Sequence, residues 1–178
     1  MSNRVDDAIL VQAAKDGDIN AFEIIVRRHE AGVYRVALRM MGSRADAQDV
    51  TQETFMRAWR SLARFRSDSA VSTWLYRIVT RRCLDVLASR RSTELLDDDV
   101  QTIATDPSES TEQRERLRAV TRAIAMLPAE QRAALVLREF ESLSYQEVAH
   151  VLGTSVAAVK GRIHRARIAV LNQTAPWQ

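Results

Sequence analysis

Cysteine, glycine and proline are scarce in this sequence. The 178 residues include a single cysteine, Cys83, which excludes an internal disulfide and any zinc site built from several cysteines. A lone cysteine is most simply a small buried hydrophobic residue. With only 5 glycines and 3 prolines, the chain has few helix breakers. We expect neither a metal nor any other cofactor.

Long apolar runs are also missing. No segment approaches the roughly 20 apolar residues that cross a bilayer. The first residues become acidic before any apolar run long enough for a signal peptide. We therefore expect a cytoplasmic protein that does not insert into a membrane.

The residues that are abundant favour helices. The hydrophobic fraction is 46%, the aromatic fraction is 6%, and alanine, leucine, arginine, valine and glutamate are plentiful. The formal net charge is only +3, which by itself says little about nucleic acid. The distribution of charge along the chain is therefore more informative than its sum.

Composition divides the chain into three zones. Residues 1–91 and 112–178 carry helical patterns, whereas residues 92–111 contain six acidic residues and no lysine or arginine. The acidic residues are Glu94, Asp97, Asp98, Asp99, Asp106 and Glu109. An acidic, polar stretch of this kind is typical of a solvated linker. The sequence predicts an all-α protein with two small helical domains joined by a flexible acidic linker.

Apolar residues at helical spacing predict three helices in the first zone and four in the second. They cover about residues 20–42, 43–62 and 72–89, then 112–126, 129–141, 144–152 and 156–171. Asn20 with Glu23, and Ser144 with Glu147, have the spacing of helix-capping pairs.

The segment from Ser144 to Leu171 has the pattern of a helix-turn-helix. Gly153 supplies the backbone freedom that a tight turn between two helices needs. The second helix carries basic side chains and no acid, and it has the right width for the DNA major groove. The candidate DNA-binding residues are Ser155, Lys160, Arg162, His164, Arg165 and Arg167. A solvated basic helix without a ligand is the alternative.

A second cluster combines aromatic and basic residues. Trp74, Arg77 and Arg81 are separated by three and four residues, so they share a helical face. Phe65, Arg66 and Tyr76 lie near them in the sequence. Rings on which bases stack, beside cations that follow the backbone, suit single-stranded nucleic acid. The alternative is an ordinary core in which the arginines are incidental.

The helix before this cluster offers a third surface. Asp49, Gln52, Glu53 and Met56 lie along its outer edge. This edge is either a surface for docking a protein or a plain solvated face, and the pattern favours neither.

Together these motifs identify a family resemblance. DAQDVTQETFMRAW, FRSDSAVSTWLYRIVTRRCLD and LPAEQRAALVLREFESLSYQEVAHVLGTSVAAVKGRIHRAR, in this order, resemble the extracytoplasmic-function (ECF) σ factors of the σ70 class. The resemblance covers about residues 21–171. It implies a transcription initiation factor that binds core RNA polymerase and promoter DNA and is controlled by an anti-σ factor.

The resemblance also implies roles for individual segments. The helix from Asp49 to Trp59 would dock on the β′ clamp helices of the polymerase. The stretch from Phe65 to Arg82 would open the −10 element, and the second domain would contact the β flap. Among the last helix's residues, Lys160, His164 and Arg165 would contact −35 bases, and Ser155 and Arg162 the DNA backbone.

Five positions depart from the family pattern. Arg81 stands where many members have asparagine, and Ser67 stands where glycine is common. In the last helix, Ala157 and Ala158 replace a frequent Gly-Thr pair, and Gly161 replaces a common serine. Arginine has no hydrogen-bond acceptor, so the −10 pocket would either read a different base or contact only the backbone.

Two other function classes remain open on the residues alone. A dimeric helix-turn-helix regulator could share the second domain, but it would leave the cluster around Trp74 without a purpose. A nuclease would need converging carboxylates or histidines. His29, His150 and His164 are scattered, and the three consecutive acids from Asp97 lie on the predicted linker. We expect no enzymatic activity.

Overall fold

The computed structural model describes residues 2–93 and 111–174, and within these ranges it is helical without a strand. Of the predicted acidic linker, residues 94–110 lie outside the described residues. The helices are α1 (Ser2–Lys15), α2 (Ile19–Met41), α3 (Arg44–Ser61), α4 (Val71–Thr93), α5 (Thr111–Ala125), α6 (Ala129–Leu135), α7 (Tyr145–Leu152) and α8 (Val156–Thr174). The all-α class is confirmed. None of the described helices is both long and apolar enough to cross a membrane.

Helices α2, α3 and α4 pack together as the first bundle. The inner faces predicted from helical spacing are confirmed: Ile25, Val33 and Met40 of α2 are fully buried. Gly42 ends α2 with a left-handed φ of 73°. Ser43 then caps α3, because its side chain accepts a hydrogen bond from the Asp46 amide.

The beginning of the first bundle differs from the prediction in two ways. Asp18, rather than Asn20, caps α2, accepting from the amides of Asn20 and Ala21. Helix α1 precedes it, and no helix was predicted there. Its buried residues Val11 and Ala14 lie in the core, but the polar and acidic residues around them obscure the helical period.

Helices α5 to α8 form the second bundle. Helix α6 continues into a π-helical turn, Val136–Phe140, which was predicted as ordinary α-helix. The predicted capping pair of Ser144 and Glu147 is confirmed, each side chain bonding the other residue's backbone amide. At the turn, Gly153 has a φ of 61°. The helix-turn-helix is therefore formed by α7 and α8.

The two bundles also pack on one another. Helix α4 contacts α6 and α7, and α2 contacts α5, α6 and the π-helical turn. Buried apolar residues form a continuous cluster that includes Val79 and Cys83 of α4 and Val148 and Val151 of α7. This packing between the halves brings α4, with its aromatic and basic residues, against the helix-turn-helix.

Candidate functional site

The aromatic cluster on α4 is built on a buried ring. Phe65 is 7% exposed, and its ring centroid lies 4.7 Å from that of Trp74 with 32° between the planes. The Lys15 Nζ donates to the Phe65 carbonyl at 2.5 Å, tying this loop to α1. Trp74 is half-buried. Phe65 therefore supports Trp74 from the core, and Trp74 keeps part of its surface accessible.

Arg77 and Arg81 continue this surface along α4. Both are exposed, and Arg81 lies 3.8 Å from the Asp85 carboxylate. We call Trp74, Arg77 and Arg81 the α4 face. It lines a cleft of about 980 Å³ whose other wall includes Glu130 and Gly153 of the second bundle. The structure thus brings together the three residues predicted to share a helical face.

The remaining residues of this cluster are placed differently. Arg66 is exposed and pairs with Asp68 at 3.3 Å. The Tyr76 hydroxyl turns to the second bundle and donates to the Glu141 carboxylate at 2.7 Å. Burial, together with this hydrogen bond, raises the pKa of Tyr76, so the hydroxyl stays protonated.

The loop before α4 contains a strained residue. Ser67 has a φ of 59°, in the left-handed region that glycine adopts without strain. This is the position at which the sequence departs from the glycine common in the family. The departure is therefore a serine held in a glycine-like conformation.

The basic residues of α8 fall into two groups. Arg162 pairs with Glu130, and Arg167 with Glu139, each at 2.5 Å. The others predicted to contact DNA are exposed: Ser155, Lys160, His164 and Arg165. Ser155 also caps α8 by accepting from the Ala158 amide at 3.1 Å. Arg162 and Arg167 are thus engaged by glutamates of their own bundle, although Arg167 remains exposed, whereas Lys160, His164 and Arg165 are exposed cations assigned to bases.

Gly161 lies beside the Arg165 side chain. A Cβ at position 161 would lie 3.4 Å from the Arg165 Nη1, an ordinary van der Waals contact.

An apolar groove lies between α2 and α3. Its volume is about 530 Å³, and its lining includes Phe22, Gln52, Met56 and Trp59. The rings of Phe22 and Trp59 lie 4.8 Å apart, and Met56 and Trp59 are 48% and 40% exposed. Large apolar side chains exposed along a groove are typical of a protein-binding surface.

Only part of the docking edge predicted from the sequence belongs to this groove. Gln52 and Met56 line it, and Asp49 is exposed on the same helix. Glu53 instead pairs with Arg82 at 2.5 Å, linking α3 to α4. Sequence reasoning missed Phe22 and Trp59, because the apolar spacing that marks a groove also marks a core.

The described residues contain no group of three or more His, Cys, Asp or Glu side chains able to hold a metal ion. The surfaces that they do present are a basic helix, an aromatic and basic face and an apolar groove.

Comparison with known proteins identifies the chain. The family model for Sigma-70 region 2 matches residues 25–93, and that for Sigma-70, region 4 matches residues 117–170. The ECF RNA polymerase sigma-E factor of Escherichia coli K12 is 36% identical, with 99% of this chain and 98% of that one covered. The chain belongs to the ECF sigma factors. The RNA polymerase sigma-H factor of Pseudomonas aeruginosa is also 36% identical to this sigma factor, over 96% and 94% of the two chains.

Solved structures share the fold of this chain. CnrH in complex with the cytosolic domain of CnrY is 31% identical to this sigma factor, with a TM-score of 0.70 and 93% and 94% of the two chains covered. RpoE from Bartonella quintana, bound to the anti-sigma factor NepR, shares the fold at 22% identity, with a TM-score of 0.74 and coverage of 87% and 97%.

Proposed function

We propose that this sigma factor binds core RNA polymerase through the α2–α3 groove, opens the −10 element with the α4 face and reads the −35 element with α8. Residues 1–91 would act as region 2, residues 92–111 as the linker and residues 112–178 as region 4. The factor would work in the cytoplasm by binding alone, without covalent chemistry. The α4 face carries the proposal, since a plain duplex-binding regulator has no use for it.

Opening of the −10 element would use Trp74 as a stacking platform. Unstacking a base costs a few kcal/mol, and stacking on an aromatic side chain returns about 1–3 kcal/mol. Arg77 and Arg81 would hold the backbone of the separated strand. Stacking on one ring does not outweigh the free energy of unstacking the base. Melting therefore also needs the contacts that polymerase makes with DNA.

Recognition of the −35 element would rest on Lys160, His164 and Arg165. An α-helix fits the major groove, and arginine or lysine there can donate to the O6 and N7 of guanine. Arg162 and Arg167 are paired with glutamates of their own bundle. They would contribute mainly by making the helix basic where it approaches phosphates.

The groove between α2 and α3 would receive the β′ clamp helices. Met56 and Trp59 offer the apolar surface that a helix from a partner can bury, and Asp49 and Gln52 would form its polar rim. The second bundle would contact the β flap. An anti-sigma factor is the further partner that membership in this family implies.

The −10 assignment can be tested with permanganate, which modifies unpaired thymines. Arg77 is exposed, so Arg77→Ala should leave the fold intact. The double variant Trp74→Ala, Arg77→Ala should abolish reactivity at the −10 element, while its binding to core polymerase stays within about twofold of the unmodified factor. Arg27→Ala, on α2 outside the α4 face, is the matched control and should retain full reactivity. Full reactivity in the double variant would overturn the assignment.

A further inference from the structure

Helix α1 has a fixed position on α2. The carboxylate of Asp7, which is 5% exposed, accepts from the Arg28 Nη1 at 3.1 Å and lies 2.8 Å from the His29 Nε2. Val11 and Ala14 on the same helix are buried in the core. A carboxylate this buried needs such partners, so the contact between α1 and α2 is specific rather than a loose apolar association.

The last residue of α1 reaches a segment far away in the chain. The Lys15 Nζ donates to the Phe65 carbonyl at 2.5 Å, across 50 positions of the sequence and in partly buried surroundings. Helix α1 also contacts the 3₁₀ turn Leu62–Arg64 and α4. The Phe65 ring lies against Trp74. Lys15 therefore holds the backbone of the residue whose ring supports Trp74.

The segment that follows this carbonyl is an exposed loop, residues 66–70, which leads into α4. The side chains of Arg66 and Asp68 are 84% and 70% exposed and lie 3.3 Å apart, and an exposed ion pair of this kind contributes little to stability. At the other end of the loop, the Ala70 carbonyl accepts from the Trp74 amide at 3.1 Å. The loop therefore borders the stacking ring, and the hydrogen bond to the carbonyl before it fixes the peptide group from which it starts.

The position of this loop matters for reading a base. A base stacked on Trp74 would present its edges to residues 66–70, and hydrogen bonds to base edges distinguish one base from another. Discrimination of this kind needs groups that neighbouring hydrogen bonds and packing hold within about 0.5 Å of their working geometry. A hydrogen bond from a charged donor is stronger than one between neutral groups. Lys15 supplies such a bond at the start of the loop.

We propose that Lys15 is a positioning residue for the −10 element. By holding the Phe65 carbonyl it places the 66–70 loop beside Trp74, so that base selectivity depends on α1. Lys15 acts through the loop and does not touch DNA. The match to the region 2 model begins at residue 25, so α1 lies outside it. The hydrogen bond is a property of the chain alone, whereas its effect on selectivity rests on the function proposed above.

Limited digestion of the full chain with trypsin tests the hydrogen bond without polymerase or DNA. Trypsin cleaves after arginine, and Arg66 is exposed at the start of the loop. Lys15→Met keeps a long side chain but cannot donate, so cleavage after Arg66 should become about fivefold faster or more. Lys15→Arg can still donate and should stay within about twofold of the unmodified chain. Circular dichroism should show full helix content in both variants, and an unchanged cleavage rate in Lys15→Met would overturn the proposal.

Selectivity is measured with reconstituted holoenzyme on a promoter mapped by run-off transcription and on single-base variants of its −10 element. Lys15→Met should lower the preference for the matched −10 element by about fivefold or more, while binding to core polymerase stays within about twofold. Lys15→Arg should retain most of the preference. Gln12→Ala is the matched control, since Gln12 lies one turn earlier on α1 and bonds only to Asp16 in the contacts described, at 3.1 Å; it should retain the full preference.

The loss of a positive charge in Lys15→Met is distinguished from the loss of position by varying the salt concentration. A lysine that binds phosphate would, when removed, weaken matched and altered promoters equally and lower the slope of log affinity against log salt by about 0.7 to 1. That result would overturn the positioning role, as would a loop opened to trypsin with an unchanged −10 preference. If holoenzyme with the unmodified chain shows no −10 preference at all, the function proposed above fails and the positioning role fails with it, although the digestion still reports on the hydrogen bond.

Discussion

Phe65 and Trp74 stack with their ring centroids 4.7 Å apart, the first ring buried in the core and the second half-buried above it. The two aromatic residues thus have different tasks, although the sequence assigns them to one cluster. Phe65 holds the position of Trp74, and Trp74 presents a ring of fixed orientation to the cleft. A base stacking on Trp74 would meet a surface already ordered before binding.

Stability measurements separate these two tasks. Phe65→Ala should lower the free energy of unfolding by about 3–5 kcal/mol, because it leaves a cavity under Trp74. Arg77→Ala removes an exposed side chain and should change it by about 0.5 kcal/mol or less. Urea unfolding followed by circular dichroism gives both values. A Phe65→Ala variant of unchanged stability would show that this ring is not part of the core.

Polymerase docking should depend on Met56. Met56→Glu places a charge in the apolar groove between α2 and α3 and should weaken binding to core polymerase by about tenfold or more. Met126→Glu is the matched control, since Met126 is 74% exposed and lies in the turn that follows α5, away from the groove. Pull-down titrations with core polymerase compare the two. Equal losses would place the docking surface elsewhere.

Arg165 and Arg167 should affect the −35 element in different ways. Arg165→Ala should lower discrimination against a mutated −35 base by about 1–3 kcal/mol, as expected for a direct guanine contact. Arg167 is paired with Glu139 and is proposed to act on phosphates rather than bases. Arg167→Ala should therefore weaken binding to all promoter sequences equally. Competition between matched and mutated promoters measures both. If Arg165→Ala lowers the affinity for matched and mutated promoters equally, Arg165 contacts phosphate instead of a base.

Much of the fold could be predicted because its signals are local. Apolar spacing predicted the inner faces of α2 and α3, and the glycine turn and capping box predicted α7 and α8. Helix α1 was missed because its apolar residues are diluted by polar ones. The π-helical turn was missed because it keeps the composition of an ordinary helix.

The site was predicted less completely, because the spacing of residues along the chain does not show which side chains of distant segments will contact one another. Residues on a single helix face, such as Trp74, Arg77 and Arg81, could be grouped correctly. Nothing in the sequence indicated that Tyr76 would meet Glu141, or that Glu53 would pair with Arg82. These partners are brought together by packing between helices.

The strain at Ser67 predicts a stabilising substitution. Ser67→Gly should raise the free energy of unfolding by about 1 kcal/mol or less, since glycine adopts the left-handed φ without strain but gains freedom in the unfolded chain. Ser69→Gly, two residues away where φ is not positive, should lower it slightly. Thermal and urea unfolding of the two variants measure the difference. If Ser67→Gly lowers the free energy of unfolding, the serine side chain makes a contact that stabilises the fold by more than the backbone strain destabilises it.

Cys83 should be unreactive in the folded protein. Burial raises the pKa of its thiol to about 12, so little thiolate is present at pH 8. Ellman's reagent at pH 8 should label it at the rate at which the fold opens, and immediately in denaturant. A raised thiol pKa means that the folded state resists ionisation of the thiol. The free energy of unfolding should therefore fall as the pH rises above the thiol pKa of the unfolded chain, about 8.5. Rapid labelling of the native chain would contradict this burial.

Run-off transcription with reconstituted core polymerase on fragmented genomic DNA tests the central claim most directly. With this sigma factor added, we predict discrete transcripts whose start sites share one −35 and one −10 sequence, and their loss when Trp74→Ala replaces the unmodified chain. Transcripts no different from those of core polymerase alone would contradict the assignment of promoter-directed initiation to this protein.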